Sequence, residues 1–277
     1  MAEKSNLHKF FDFVCGLSPS TSRLAWKLWY HYVTNLDKKA QMIFMNYGYA
    51  DLNTATRKTK LRDMDEKNRY GIQLYHYVAS AVSLKGLDIL EVGSGRGGGS
   101  SYIMRYLKPM SVTGVDFSKK AIRFCKKYHS IKGLSFYVGD AESLPFEDSK
   151  FDVIFNIESS HCYGDIGQFL REVFRVLRPN RYFLFADFRK MDEINSLRNQ
   201  LLELGFELIK DERITQNVLK SLELDNERKT KLIMQKVPKI LRKSFSDFAG
   251  VKGTEVYGSF RTGSREYFNF VLHKRDV

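Results

Sequence analysis

EVGSGRGGG (91–99) overlaps the end of the apolar run LDILEV (87–92), and this junction decides the fold. An apolar run that ends in glycines reads as a buried strand entering a tight turn. Gly93, Gly95 and Gly98 satisfy G-x-G-x-x-G, the spacing of a strand–turn–helix ligand site. Alone, that spacing points to a dinucleotide. Glu91 points elsewhere, because a carboxylate two residues before the turn repels a pyrophosphate and stabilises a cation. The glycines remain necessary in either case, since backbone without Cβ packs closest to a ligand.

Outward from the turn, short β-rich runs alternate with amphipathic stretches, the pattern of a doubly wound parallel sheet. VTGVD (112–116), LSFYVGD (134–140), FDVIFNI (151–157) and YFLFADF (182–188) read as the next strands. SSYIMRYL (100–107), SKKAIRFCKKYH (118–129) with Ser118 as its cap, and GQFLREVFRVLRP (167–179), carried to its proline, read as the helices between them. A helix over 193–204 stopped by Gly205, a strand FELIKDERI (206–214), a polar helical insertion over about 217–248 and an edge strand REYFNFVLHK (265–274) complete the chain. The expected fold is therefore α/β and Rossmann-like, with seven mostly parallel strands and an antiparallel edge strand. Residues 1–78, aromatic and basic, are expected to form a helical cap over the domain 79–277.

Asp116 ends the second strand and Asp140 the third, so that with Glu91 acids close three successive strands. Open α/β sheets bind ligands at the carboxyl ends of their strands. A carboxylate at Asp116 suits two ribose hydroxyls, and Asp140 with Ala141 suits the amino group and ring nitrogen of adenine. Taken with Glu91, these features select S-adenosylmethionine, whose sulfonium and ammonium are cationic. The expected contact set is Glu91, Gly93, Ser94, Gly95, Asp116, Phe117, Asp140, Ala141 and Asn156, with Tyr47 from the cap.

Composition bounds the rest. The 277 residues are 43% hydrophobic and 14% aromatic, which supports one large domain and fits either an apolar substrate cavity or extra core. A net charge of +13 draws phosphates, on nucleic acid or on an anionic membrane, and equally serves solubility. Cys15, Cys125 and Cys162 form no CxxC pair, which argues against structural zinc and suits a reducing compartment. No metal is expected. The absence of a secretory pattern at the start and of a long apolar run makes the cytoplasm the expected location.

The motifs EVGSGRGGG, TGVDFS, GDAESLPFEDSKFDVIFNIESSHCY and FRVLRP together resemble the class I methyltransferases. MNYGYA (45–50), LYHYVAS (74–80), FCKKYH, IESSHCY, ADFR and GVKGTEV (250–256) are similar to the phthiotriol/phenolphthiotriol dimycocerosates methyltransferases, from about residue 20 onward. The resemblance implies an O-methyltransferase acting on a small lipid or polyketide-like acceptor. One departure is visible: Asn180-Arg181 stands where that family commonly has Gly-Gly, which puts the turn before the fifth strand in question.

A hydroxyl acceptor needs a group to take its proton, and His161, just after the fourth strand, has the right place and the right chemistry. The alternative role for His161 is positioning alone. Glu158 is expected to orient that imidazole or to bind the acceptor. Tyr47 and Tyr49 either close over the sulfonium through cation–π attraction or pack the cap. Trp26, Trp29, Tyr30 and Tyr32 have near-helical spacing and read as a buried face. The stretch KVPKILRK (236–243) is either a peripheral membrane contact or a solvated face. Nucleic acid fits poorly as a substrate, because the position after the fourth strand reads Asn156-Ile-Glu-Ser rather than Asn-Pro-Pro-Tyr.

Overall fold

The computed structural model describes residues 21, 42–53 and 59–276. Most of the expected cap, with Trp26, Trp29, Tyr30 and Tyr32, lies outside the described residues, as does Cys15. The described elements begin with α1 (Asp63–Glu66), α2 (Arg69–Ala79), β1 (Asp88–Val92), α3 (Gly98–Tyr106), β2 (Ser111–Asp116) and α4 (Lys119–Tyr128). They continue with β3 (Leu134–Val138), β4 (Phe151–Ile157), α5 (Ile166–Val176), β5 (Leu177–Arg189), α6 (Met191–Glu203) and β6 (Phe206–Arg213). The insertion supplies α7 (Thr215–Leu224), α8 (Asn226–Lys236), α9 (Arg242–Phe248) and α10 (Glu255–Arg261) before β7 (Glu266–Lys274).

These strands form one seven-stranded sheet in the order β3-β2-β1-β4-β5-β7-β6. β1 pairs in parallel with both β2 and β4, so the chain reverses its direction of winding between them. That switch leaves a crevice at the carboxyl ends of β1 and β4, where ligands of such sheets bind. Every residue of β4 is buried, as expected of a central parallel strand covered on both faces. Leu90, Phe169, Phe183 and Phe268 fill the core on one face; Ile89, Phe155, Leu184 and Tyr267 fill it on the other.

Three expectations need correction. β7 is antiparallel, but it enters between β5 and β6, so β6 is the edge strand. Its run Tyr267–Leu272 is buried throughout, and such a run needs a neighbour on each side and cover on each face. Helix α5 stops at Val176, three residues short of Pro179, because Leu177 already pairs with Phe151 in the sheet. The expected insertion, about 217–248, is also followed before β7 by a helix that its pattern did not include, α10, which packs Val256 and Phe260 into the core.

The turn at Asn180-Arg181 shows how the chain dispenses with Gly-Gly. Asn180 takes the left-handed backbone (φ 57°) that asparagine tolerates, and its amide donates to Asp276 at 2.9 Å. Arg181 pairs with Asp152 at 2.8 Å.

Candidate active site

The glycine turn is built by close approach. The Gly93 and Ser94 N–H groups donate to the Val115 carbonyl at 2.9 and 3.0 Å, which pins the turn to the end of β2. Gly93 has φ 77°, and a Cβ there would stand 2.3 Å from the Ser159 hydroxyl. At Gly99 a Cβ would meet the Tyr75 ring at 2.0 Å. Neither contact is compatible with a side chain, so α3 starts where only glycine lets it lie against α2 and the turn after β4.

Above this turn opens a cleft with about 1230 Å³ of empty space including its mouth, ample for a nucleoside-sized ligand and part of an acceptor. Gly93, Ser94, Gly95, Asp116, Phe117, Asp140, Ala141 and Glu158 line it. Ile43, Phe44, Met45 and Asn46 form the wall contributed by the N-terminal segment.

Five other expected residues stand elsewhere. Glu91 is 1% exposed beneath the turn, where its carboxylate accepts from the hydroxyls of Tyr75 and Ser100. Tyr75 itself lines the cleft, so Glu91 acts on the cleft through that phenol. Asn156 is fully buried and ties the floor together, its amide donating to the Val92 carbonyl at 3.1 Å and to the Ser159 and Tyr163 hydroxyls. Tyr47 points away from the cleft lining, toward Phe188 and Phe260, and Tyr49 stacks on Tyr77. His161 sits in a 3₁₀ turn whose neighbours Glu158, Ser159, Cys162 and Tyr163 line the cleft.

Electrostatics favours a cation here. Asp116 accepts the N–H groups of Gly95 and Ser118, both at 2.8 Å, yet burial still raises its pKa to about 6. Burial likewise pushes Glu91 and Glu158 up to about 7. Buried carboxyls are costly to ionise, and a positive ligand lowers that cost. Ser94 offers a further group: its buried hydroxyl has no hydrogen-bond partner among the described residues, although it lines the cleft.

Beyond Glu158 lies a second cluster. His161 Nδ1 is 2.8 Å from Asp187 Oδ1, and the His161 backbone N–H donates to Oδ2 at 3.1 Å. Asp187 is fully buried, accepts from the Ser160 hydroxyl and pairs with Arg189 at 3.3 Å. Asp187, not Glu158, therefore orients the imidazole. Burial alone lowers the pKa of His161, but Cys162 and Asp187 outweigh it and hold the ring up at about 10. Burial opposes ionisation of Asp187 too, and the charges of His161 and Arg189 overcome it, holding the carboxyl well below its usual range. Glu158 turns the other way, accepting from the Tyr47 N–H at 2.7 Å and the Tyr267 hydroxyl at 3.0 Å. Its backbone is left-handed (φ 48°), a strain that these two bonds help to hold.

Sequence reasoning missed Asp187, Arg189, Tyr267, Tyr75 and the 43–46 wall. Asp187 was within reach, because ADFR ends a strand with an acid as the three recognised motifs do. Tyr267 and Tyr75 carried no local signal.

A sheet that reverses direction at a glycine turn, with strand-end acids around the cleft, defines a Rossmann-like S-adenosylmethionine-dependent methyltransferase. The residues present fit that cofactor: an unpartnered serine hydroxyl, two strand-end aspartates and a turn that excludes side chains. A family model described as a methyltransferase domain matches residues 83–244, and the chain belongs to that family. The chain is 38% identical to a phthiotriol/phenolphthiotriol dimycocerosates methyltransferase of Mycobacterium tuberculosis, over 93% of this chain and 94% of that one. It is 36% identical to a fatty-acid O-methyltransferase of Mycolicibacterium smegmatis, over 91% and 90%. Among solved structures, the [4+2]-cyclase SpnF superposes with a TM-score of 0.71 at 18% identity, covering 92% of this chain and 97% of that one. That last likeness concerns the fold alone.

Proposed function

We propose that the chain transfers the methyl group of S-adenosylmethionine to an oxygen of a small lipid or polyketide-like acceptor. The observation that carries this reading is the His161–Asp187 pair, set in the turn whose neighbours line the cleft. Two relatives matched along nearly the whole chain support it, one named as a phthiotriol/phenolphthiotriol dimycocerosates methyltransferase and one as a fatty-acid O-methyltransferase.

On this reading Asp116 holds the ribose, Asp140 and Ala141 meet the adenine, and Ser94, with the turn around Gly93 and Gly95, receives the amino-acid end. When bound, the cofactor supplies an electrophilic methyl group on a positively charged sulfur. The protein supplies alignment and the exclusion of water. Glu158 faces the cleft and binds the acceptor, and the carboxylates nearby stabilise the sulfonium charge. Asp187 fixes Nδ1 of His161 as the nitrogen that carries the proton in the neutral ring, and so fixes how the ring stands.

Two acceptor oxygens are chemically distinct here. A hydroxyl must lose its proton, which makes His161 the base and demands the neutral ring. A carboxylate needs no base, and an imidazolium held by Asp187 pairs with it directly. The raised pKa of His161, about 10, favours this second acceptor.

The test uses methyl-labelled cofactor with long-chain alcohols, hydroxylated polyketide lipids and fatty acids. Label is expected in the oxygen of one of these classes. With a hydroxyl acceptor, kcat/KM climbs with pH toward about 10; with a carboxylate it is level near neutrality and falls as pH passes that value. No label in any lipid, alongside label in RNA or protein, discards the reading.

A further inference from the structure

A small apolar tip ringed by cations stands on the segment that walls the cleft. After α8 the chain turns through Pro238 into a 3₁₀ turn, Lys239–Leu241, that leads into α9. Ile240 in that turn is 89% exposed, and Met234, in the last turn of α8, is 55% exposed. Pro238 between them is exposed as well. A lone exposed aliphatic side chain means little, but apolar groups gathered on one projecting turn mark a contact surface.

The tip is rigidly presented. Arg242 donates to the Val237 carbonyl at 3.1 Å and to the Met234 carbonyl at 2.8 Å, satisfying groups that the end of α8 leaves open. On its inner side Ile233, Val237 and Phe245 pack with Met42 and Met45, and Met45 lines the cleft. The tip and the cleft thus share one wall.

Charge selects the partner. Between 226 and 243 the sequence holds seven Lys and Arg residues against a single acid, Glu227. Lys229 is turned inward onto the Ala249 carbonyl, whereas Lys231, Lys239 and Lys243 are exposed around the apolar tip. An RNA would meet the charges yet gain nothing from an exposed isoleucine. A second copy of a chain carrying +13 would bring like charge against like. A bilayer with anionic headgroups answers both features, taking aliphatic side chains at the acyl boundary and ammonium groups at the phosphates.

We propose that the tip formed by Met234, Pro238 and Ile240, flanked by Lys231, Lys239 and Lys243, docks the protein on an anionic phospholipid surface. Docking sets the Met45 wall of the cleft directly behind the bilayer contact, where a lipid acceptor is drawn from the membrane rather than from water. The proposal stands for either acceptor oxygen.

The experiment sediments the full chain with phosphatidylcholine vesicles that contain or lack phosphatidylserine. Binding is expected to require phosphatidylserine and to fall as salt is raised. Ile240→Glu is expected to weaken partitioning roughly tenfold or more, and Lys239→Ser or Lys243→Ser each by about fivefold. These variants should keep the thermal midpoint and the calorimetric affinity for S-adenosylhomocysteine of the wild type, which separates a lost contact from a lost fold. Equal binding to neutral vesicles, or variants that partition as the wild type does, overturns the proposal. So does a variant effect confined to RNA binding or to oligomeric mass.

Discussion

On the proposed donor side of the cleft, Ser94, Gly95, Asp116 and Asp140 come from three consecutive strand–turn units within 91–141. On the proposed acceptor side, Glu158 is held by Tyr47, 111 residues away, and by Tyr267, 109 residues away, while His161 depends on Asp187. The donor side is made of turns tied to one another and to the neighbouring strand end within that one stretch, as Gly93 and Ser94 are to Val115 and Gly95 to Asp116. The acceptor side exists only once the N-terminal segment, β5 and β7 have packed together. Substitutions far from the chemistry can therefore reshape acceptor choice without touching cofactor binding, which lets one fold serve many acceptors.

The division is broken most severely at Asp187. With a hydroxyl acceptor, Asp187→Asn is expected to slow turnover roughly 10²- to 10⁴-fold, while calorimetric cofactor affinity stays within about twofold of the wild type. An equal loss of affinity would mean that the two sides are not separable. The same variant tests linkage. The folded pKa of His161, about 10, lies above its unfolded value, so the pair's stabilisation is fully present below that unfolded value and lost as pH rises toward 10. For Asp187, whose pKa is depressed, stabilisation is present above the ordinary carboxylate range and lost in acid. Asp187→Asn should flatten both limbs of the thermal midpoint against pH.

Asp116→Ala should do the reverse, weakening cofactor binding by about 1.5–3 kcal/mol through lost charge-assisted hydrogen bonds. Turnover at saturating cofactor should change little. Unchanged affinity in the variant would reassign the ribose.

A smaller effect follows from the raised carboxyls. Asp116, at about 6, and Glu91, at about 7, are partly protonated near neutrality, and a cation held in the cleft favours their ionised forms through its field. Cofactor affinity should rise with pH through that window, by up to about tenfold per unit, and level off above it. Proton release measured in buffers of different ionisation enthalpy gives the same answer independently. Affinity that is flat across the window would show that the ligand does not address these acids. Least affected is Tyr267→Phe, which removes one hydrogen bond to Glu158 and should cost about 0.5–1.5 kcal/mol, seen as a change in acceptor KM with the cofactor Kd intact.

Much of this molecule was legible in one dimension. The strands around the cleft, the Ser118 cap and the Gly205 stop appear where hydrophobic period and turn chemistry place them, because each is a local preference. Asp116 and Asp140 reach one cleft because strand ends in a parallel sheet necessarily lie on one side of it. Glu91 stands one layer deeper than its motif implies, since Tyr75 and Ser100 claim its carboxylate. The place of β7 and the early end of α5 followed from pairing with β5, β6 and β4, which no window of a few residues encodes.

By itself, then, the sequence determined a glycine-turn cleft for a cationic cofactor, because turn geometry and strand periodicity are properties of neighbouring residues. Only the tertiary structure decided that His161 answers to Asp187, that Glu158 answers to Tyr47 and Tyr267, and that an exposed isoleucine stands behind the cleft wall. Those pairings join parts of the chain that meet only when apolar burial brings distant elements into one core.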